Sequence, residues 1–191
     1  LHAALKLFST GAWTSLLTEE IRVLSGTYVR AISGVPEARP KEKAAYQLAQ
    51  APYNQALGLW YAKEKFSPEA KADVEHKVKT MIDVYKSRLE TADWLAKETR
   101  DKAIVKLNVI TPHIGYPEKL PETYAKKVID EQLGLIENAQ NLAKVAIAHT
   151  WSKWNKEVDR SEWHMPAHLV NAYYDPQQNQ IVFPAAILQA P

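Results

Sequence analysis

The chain has no cysteine. Disulfides, thiolate zinc sites and cysteine nucleophiles are therefore excluded, and a reducing compartment is allowed without being required. There is no run of about eighteen apolar residues, so no segment reads as a membrane span. Charge of one sign is also missing: 24 Lys and Arg face 22 Asp and Glu, a formal net charge of +2. Basic runs are diluted by acids, as in KEKAAY and DKAIVK. That dilution argues against a phosphate-binding stripe, and so against nucleic acid or an anionic membrane as partner. A glycine-rich phosphate loop, a serine in a nucleophile elbow and the H-E-x-x-H zinc motif are all absent. The first residue is Leu1 rather than methionine, and no basic leader with a cleavage site follows it. A piece of a longer polypeptide is the expectation.

What is present is mostly helical in pattern. At 191 residues the chain can bury one core, or one core and part of a second. Leu17, Ile21, Leu24 and Tyr28 recur at helical spacing up to Gly34 and Pro36. A second helix is expected from Lys41 to Lys65, kinked or broken at Pro52. The cleanest element is FSPEAKADVEHKVKTMIDVYKSRLE. Ser67 is placed to cap it, Pro68 suits its first position, and Ala70, Val74, Val78, Met81, Tyr85 and Leu89 form one apolar stripe. Another helix is expected over Lys97–Leu107, before TPHIGYPEKLP interrupts with prolines and a glycine. Ile114–Pro121 reads as a rigid structural loop. Tyr124–Ile136 and Leu142–Trp154 read as two further helices meeting near Asn138. After Trp163 the pattern changes: HLVNAYY and NQIVFP flank the turn formers DPQQN, which predicts a hairpin over about 168–184. A lone hairpin is marginal in water, so it must pack on the helices or belong to a sheet whose other strands are missing from this chain, and the second is the preferred expectation.

Several constellations have a plain reading beside a chemical one. His164 and His168 in HMPAH have the i, i+4 spacing of a metal pair, but Pro166 opposes a regular helical turn and no glutamate stands between them. Ordinary loop histidines are the preferred reading, and His2, His76, His113 and His149 read as solvated or packed. The tryptophans Trp13, Trp60, Trp94, Trp151, Trp154 and Trp163 are too dispersed for a stacking platform and read as core. Asn171 in VNAYY is different. Its amide offers an acceptor and donors matching a peptide main chain, an edge strand could add to the match by β-augmentation, and small Ala172 would let a partner chain approach. Alternatively Asn171 satisfies its own loop. The residues alone leave both open.

VNAYYDPQQNQIVFPAAILQAP closely resembles the segment ahead of the zinc motif in the neprilysin family of zinc metallopeptidases. LGLWYAKEKFSPEAKADVEHKV, LETADWLAKETRDKAIVKLNVITPHIGYPEKL and VDRSEWHMPAHLVNAYY extend the likeness over roughly residues 55–191. Leu95 and Ala96 stand where the family often has methionine and aspartate. The resemblance implies a mainly α fold: a helical region over 1–160 forming the smaller lobe and crossover helices, then 161–191 opening the catalytic-domain segment with a substrate-binding edge hairpin, part of an incomplete α+β metallopeptidase catalytic domain. It implies a zinc-dependent endopeptidase or oligopeptidase acting on extended peptides, with Asn171 and Ala172 holding the substrate backbone and Phe183–Leu188 mainly structural. It implies zinc in the complete parent, its ligands and the catalytic residues further along than this chain, so that this segment alone is expected to be inactive and to pair with the remainder of the catalytic domain. Missing cysteines fit a bacterial member, cytoplasmic or extracellular. Rival readings are a peptide-binding module and a purely structural helical domain.

Overall fold

The computed structural model describes residues 13–189. The opening apolar run, His2 and the last two residues, on which part of the sequence reading fell, lie outside the described residues. The chain divides into two compact units: Leu1–Pro52 with Pro121–Lys156, and Tyr53–Leu120 with Glu157–Pro191. In chain order the elements are α1 (Glu19–Ser25), α2 (Thr27–Ser33), α3 (Lys41–Gln50), α4 (Asn54–Lys65), α5 (Pro68–Glu90), α6 (Lys97–Asn108), β1 (Thr111–Gly115), α7 (Leu135–Ser152), β2 (Tyr173–Asp175) and β3 (Gln180–Pro184). The mainly helical architecture read from the sequence holds.

In the first unit, α1 begins where the Thr18 hydroxyl accepts the Ile21 N–H at 3.4 Å, and Arg22 bonds both carboxylate oxygens of Glu19. That pairing holds the Glu19 carboxyl below its ordinary range. α2 ends at Gly34, whose left-handed φ of 66° closes the helix as the Val35 N–H reaches the Arg30 carbonyl at 3.0 Å. The two helices expected around Asn138 are one. Residues Glu122–Lys126 form a 3-10 turn, an irregular stretch follows, and α7 starts only at Leu135. The buried Asn138 amide explains the shift. It accepts from the Asp130 N–H at 2.8 Å and donates to the carbonyls of Asp130 and Leu133 at 2.9 and 3.2 Å. A side chain that satisfies a loop's backbone holds that loop out of the helix.

Pro52, the last residue before the chain enters the second unit, acts as its chemistry dictates: Ala51–Tyr53 is a 3-10 turn between α3 and α4. The Ser67 hydroxyl accepts the Ala70 N–H at 3.2 Å, and Pro68 takes the first position of α5. The predicted stripe is covered unevenly, with Ala70, Val74 and Leu89 half-buried. Val78 is buried, whereas Met81 and Tyr85 are exposed. Ala62, Phe66, Ala167 and Ala185 form the buried cluster, with Ala70, Val74, Tyr116 and Leu188 against it. Many of these residues are small, so backbones approach closely. A Cβ on Gly58 of α4 would lie 2.6 Å from the Ala167 nitrogen.

The sheet has the order β1-β3-β2. β2 pairs antiparallel with β3, Tyr174 opposite Ile181, and β1 pairs parallel with β3, His113 opposite Val182. The sequence reading treated Ile114 onward as a loop and found no strand at 111–115. Pro112 and Gly115 carry loop signatures, yet an edge strand tolerates both, and the pairing partner lies far along the chain. Lys71 of α5 secures the following turn, donating to the Tyr116 carbonyl at 3.3 Å and to Glu118 at 2.5 Å.

Gly115 has φ 77°, and a Cβ there would meet the Phe66 ring at 2.7 Å, whereas nothing lies within 4 Å of a Cβ on Gly34. Gly58→Ala and Gly115→Ala are expected to lower stability by about 1–3 kcal/mol, and Gly34→Ala by about 1 kcal/mol from backbone strain alone. Denaturant unfolding of the three variants checks the order; Gly58→Ala as mild as a surface change would refute the close approach of α4 to Ala167.

Candidate functional site

The candidate site is the free side of β2. β3 is paired on both sides, and among the described residues β2 has β3 as its one neighbour. An edge strand directs the N–H and C=O groups of alternate residues outward, where they can pair with an added chain. β2 is shorter than expected, covering only Tyr173–Asp175. Asn171 and Ala172 therefore lie immediately before the strand and not within it.

The reason is local. The Asn171 Oδ1 accepts the N–H of Ala172 at 2.8 Å, and the Asn171 N–H reaches back to the Leu169 carbonyl at 3.0 Å. These bonds compete with strand geometry. The acceptor end of the Asn171 amide thus serves its own backbone, while among the described residues no bond occupies the Nδ2 donor of this exposed residue. Ala172 is half-buried and Tyr174 exposed.

Behind the edge, β3 is polar as well as apolar. Gln180 and Val182 are fully buried on one face. The Gln180 Nε2 donates to the Arg160 carbonyl, and the Gln178 side chain meets the His164 ring at 3.2 Å. His113 of β1 is buried and stacks on Trp163 with ring centroids 5.2 Å apart. The Tyr173 phenol is held above its ordinary range by burial. Sequence reasoning missed this polar backing because its members come from three distant segments.

The other sequence candidates are placed as follows. His164 and His168 occupy an irregular segment with no helical turn between them. Pro166 packs toward Gly58, 3.2 Å from where a Cβ there would sit. His76 is exposed. Trp60, Trp94, Trp151 and Trp154 are exposed rather than core, which corrects the sequence reading; helical periodicity identifies an apolar face but not what covers it. Phe183 is half-buried, and Ala185 and Ala186 are buried in the 3-10 turn after β3, where the Ala186 N–H bonds the Ala167 carbonyl at 2.9 Å. Among the described residues no group of three or more His, Asp or Glu could hold a metal ion. The described residues do not fit a zinc site.

The sequence profile described as peptidase family M13 matches residues 2–117. A Streptococcus gordonii protein provisionally named a zinc metalloproteinase is 66% identical over 191 residues, covering 100% of this chain and 34% of that protein. The neutral endopeptidase of Lactococcus lactis subsp. lactis is 48% identical over 178 residues, 93% of this chain and 28% of that protein. Among solved structures, the crystal structure of PepO from Lactobacillus rhamnosis matches with a TM-score of 0.87 at 36% identity, over 94% of this chain and 28% of that one. The chain spans about a third of the length of the curated relatives it matches.

Burial pushes the His113 imidazole below the ordinary histidine range; the Arg160 backbone opposes the fall, and the positive charges of His164 and Arg160 add to it. Burial lowers His168 likewise. A histidine whose folded pKa lies below its unfolded value binds its proton more readily once unfolded. The stability it contributes is complete above the unfolded value of about 6.5 and is lost as pH falls from there through the folded pKa. Melting temperature is therefore expected to drop between about pH 7 and about pH 5, and His113→Gln with His168→Gln to flatten that drop. An equal drop in the double variant would remove these histidines as its cause.

Proposed function

Because this chain belongs to peptidase family M13, we propose that it forms the substrate-holding part of a zinc-dependent endopeptidase, gripping extended peptides along the outer side of β2. The observation that carries this reading is the conjunction of an open strand edge with the unengaged Asn171 Nδ2 donor beside it. An extended peptide laid antiparallel or parallel to β2 would complete the sheet through main-chain bonds, with the Asn171 amide adding a donor to a peptide carbonyl and small Ala172 giving clearance. The neprilysin-like resemblance read from the sequence agrees with the family match, and zinc metalloproteinase and neutral endopeptidase are the names carried by the relatives.

Zinc in this proposal is held by residues of the longer polypeptide, where it supplies hydrolytic chemistry; the residues described here contribute position. Holding a carbonyl at a fixed place relative to a reacting centre is itself catalytic, since it removes translational and rotational freedom beforehand. In the same reading, 1–160 supplies the smaller lobe and crossover helices, and 161–191 opens the catalytic-domain segment. Uncovered apolar faces support a larger assembly. Leu24, Tyr28 and Ile32 are each about 70% exposed, large apolar side chains of the kind that an interface would cover.

The test is kinetic and uses the complete polypeptide with a fluorogenic peptide. Hydrolysis is expected to vanish with a chelator and return with zinc. Asn171→Ala is expected to lower kcat/KM by roughly 5- to 150-fold, the equivalent of ~1–3 kcal/mol for a lost hydrogen bond. Asn171→Asp, which keeps the acceptor for the Ala172 N–H but loses the donor, is expected to be equally impaired. Unchanged turnover efficiency in both variants would refute the grip.

A further inference from the structure

A strand of three residues paired on one side is a poor platform for holding a ligand, because a short hairpin is only marginally ordered in water. Something must fix it. The turn after β2 begins with an internal clamp, in which the Asp175 carboxylate accepts the N–H groups of Gln177 and Gln178 at 2.9 and 3.2 Å. It ends at Asn179, which adopts the left-handed region at φ 49°.

Asn179 is where the hairpin meets the rest of the unit. Its Nδ2 donates to the Lys106 carbonyl, in the last turn of α6, at 2.8 Å. Its Oδ1 accepts the Tyr174 hydroxyl at 3.0 Å. Its backbone carbonyl accepts the Thr111 N–H at the start of β1 at 3.0 Å, with the Arg160 guanidinium 3.4 Å away. Arg160 also donates to the Val109 carbonyl at 3.0 Å, between α6 and β1. The Lys106 ammonium lies 5.5 Å from the centre of the Tyr174 ring, within the range of a cation–π contact. One side chain thus ties the end of a helix to the middle residue of the edge strand, and the same residue's carbonyl ties in the neighbouring strand.

From this geometry we infer that Asn179 and Tyr174 are positioning residues for peptide binding, a latch that fixes β2 at a set distance from α6 so that its outer side is ordered before a peptide arrives. The inference rests on the reading of β2 as the peptide-holding edge. Neither residue needs to touch the peptide's reacting bond. A latch of this kind lowers the ordering cost of association, so its loss weakens binding more than it slows the bound complex. The turn composition alone does not foretell this role, because the Lys106 partner is a backbone carbonyl.

Tyr174→Phe removes one hydroxyl and leaves the ring over Lys106. Asn179→Gly removes both side-chain bonds and keeps a residue at home with positive φ. In the complete polypeptide, each is expected to raise KM for a fluorogenic peptide by roughly 3- to 10-fold, with kcat within about twofold of the parent. The double variant is expected to be no worse than Asn179→Gly alone, since both remove the same bond. Asn171→Ala is measured beside them. If Asn171→Ala impairs the enzyme while Tyr174→Phe and Asn179→Gly leave KM unchanged and lower only melting temperature, the latch is overturned and the edge reading stands. If Asn171→Ala has no effect, the edge reading falls and takes the latch with it. A kcat loss with unchanged KM in Tyr174→Phe also overturns the latch.

Discussion

The pairing of β3 along both its sides is the constraint from which the rest of the candidate site follows. An antiparallel neighbour occupies one side and a parallel neighbour the other, so β3 has no side left for a further chain. Its alternate residues Gln180 and Val182 are fully buried, which pins the register, because a slip by one residue would carry a buried glutamine and valine to the opposite face. The unmatched main-chain groups of this sheet are thereby moved to the outer sides of β1 and β2. The two margins differ. β1 ends in the buried run His113–Gly115 and packs on α5, whereas β2 is bordered by exposed Asn171 and Tyr174. Of the two margins, β2 is the more accessible, which is the observation behind the proposed peptide-holding edge.

How much of this was legible follows from the range of each interaction. The start of α5 was legible because its signals are adjacent: a serine that caps and a proline that suits the first turn. The break at Pro52 was legible for the same reason. β1 was not, since a strand containing Pro112 and Gly115 has no local pattern and exists through a partner about seventy residues away in sequence. The onset of α7 was misplaced because Asn138 binds the preceding loop; a polar residue inside an apolar periodicity carried that information, but its partners are backbone groups with no sequence signature. The six tryptophans show the opposite failure. Their apolarity was plain, yet four of them face outward, because composition does not specify the covering surface.

For the candidate site, the sequence pointed to Asn171 and Ala172 as part of a strand, and the structure places them differently. Asn171 and Ala172 stand beside the edge and not within it, and half of the Asn171 amide is already committed. In the proposed peptide-holding role, that partial commitment would have a physical use. An amide whose Oδ1 is held by its own backbone cannot rotate freely, so its Nδ2 protons point in a defined direction before any partner is present. A fully free side chain would offer the same donor with more rotamer entropy to lose on binding. A fully satisfied one would offer nothing.

The same logic extends to the polar groups that back the sheet. A buried glutamine and a buried histidine are costly inside an apolar core unless their bonds are made. Here those bonds are only partly made: the Gln180 Nε2 is tied to the Arg160 carbonyl, while the Gln180 Oε1 and the His113 Nδ1 are buried without a partner among the described residues, and the Arg160 guanidinium in turn meets the backbone at Val109 and Asn179. Residues 160–164, the end of α6 and the hairpin turn are therefore joined by directional bonds where small apolar side chains alone would leave them free to slide. An apolar contact tolerates displacement of a few tenths of an ångström with little change in energy, whereas a hydrogen bond loses most of its strength when its angle is spoiled. A margin that, as proposed, presents main-chain donors and acceptors at fixed spacing would need the second kind of restraint. That need gives a physical reason for the polar residues clustered behind β2 in a unit whose buried cluster is otherwise built of alanine and phenylalanine.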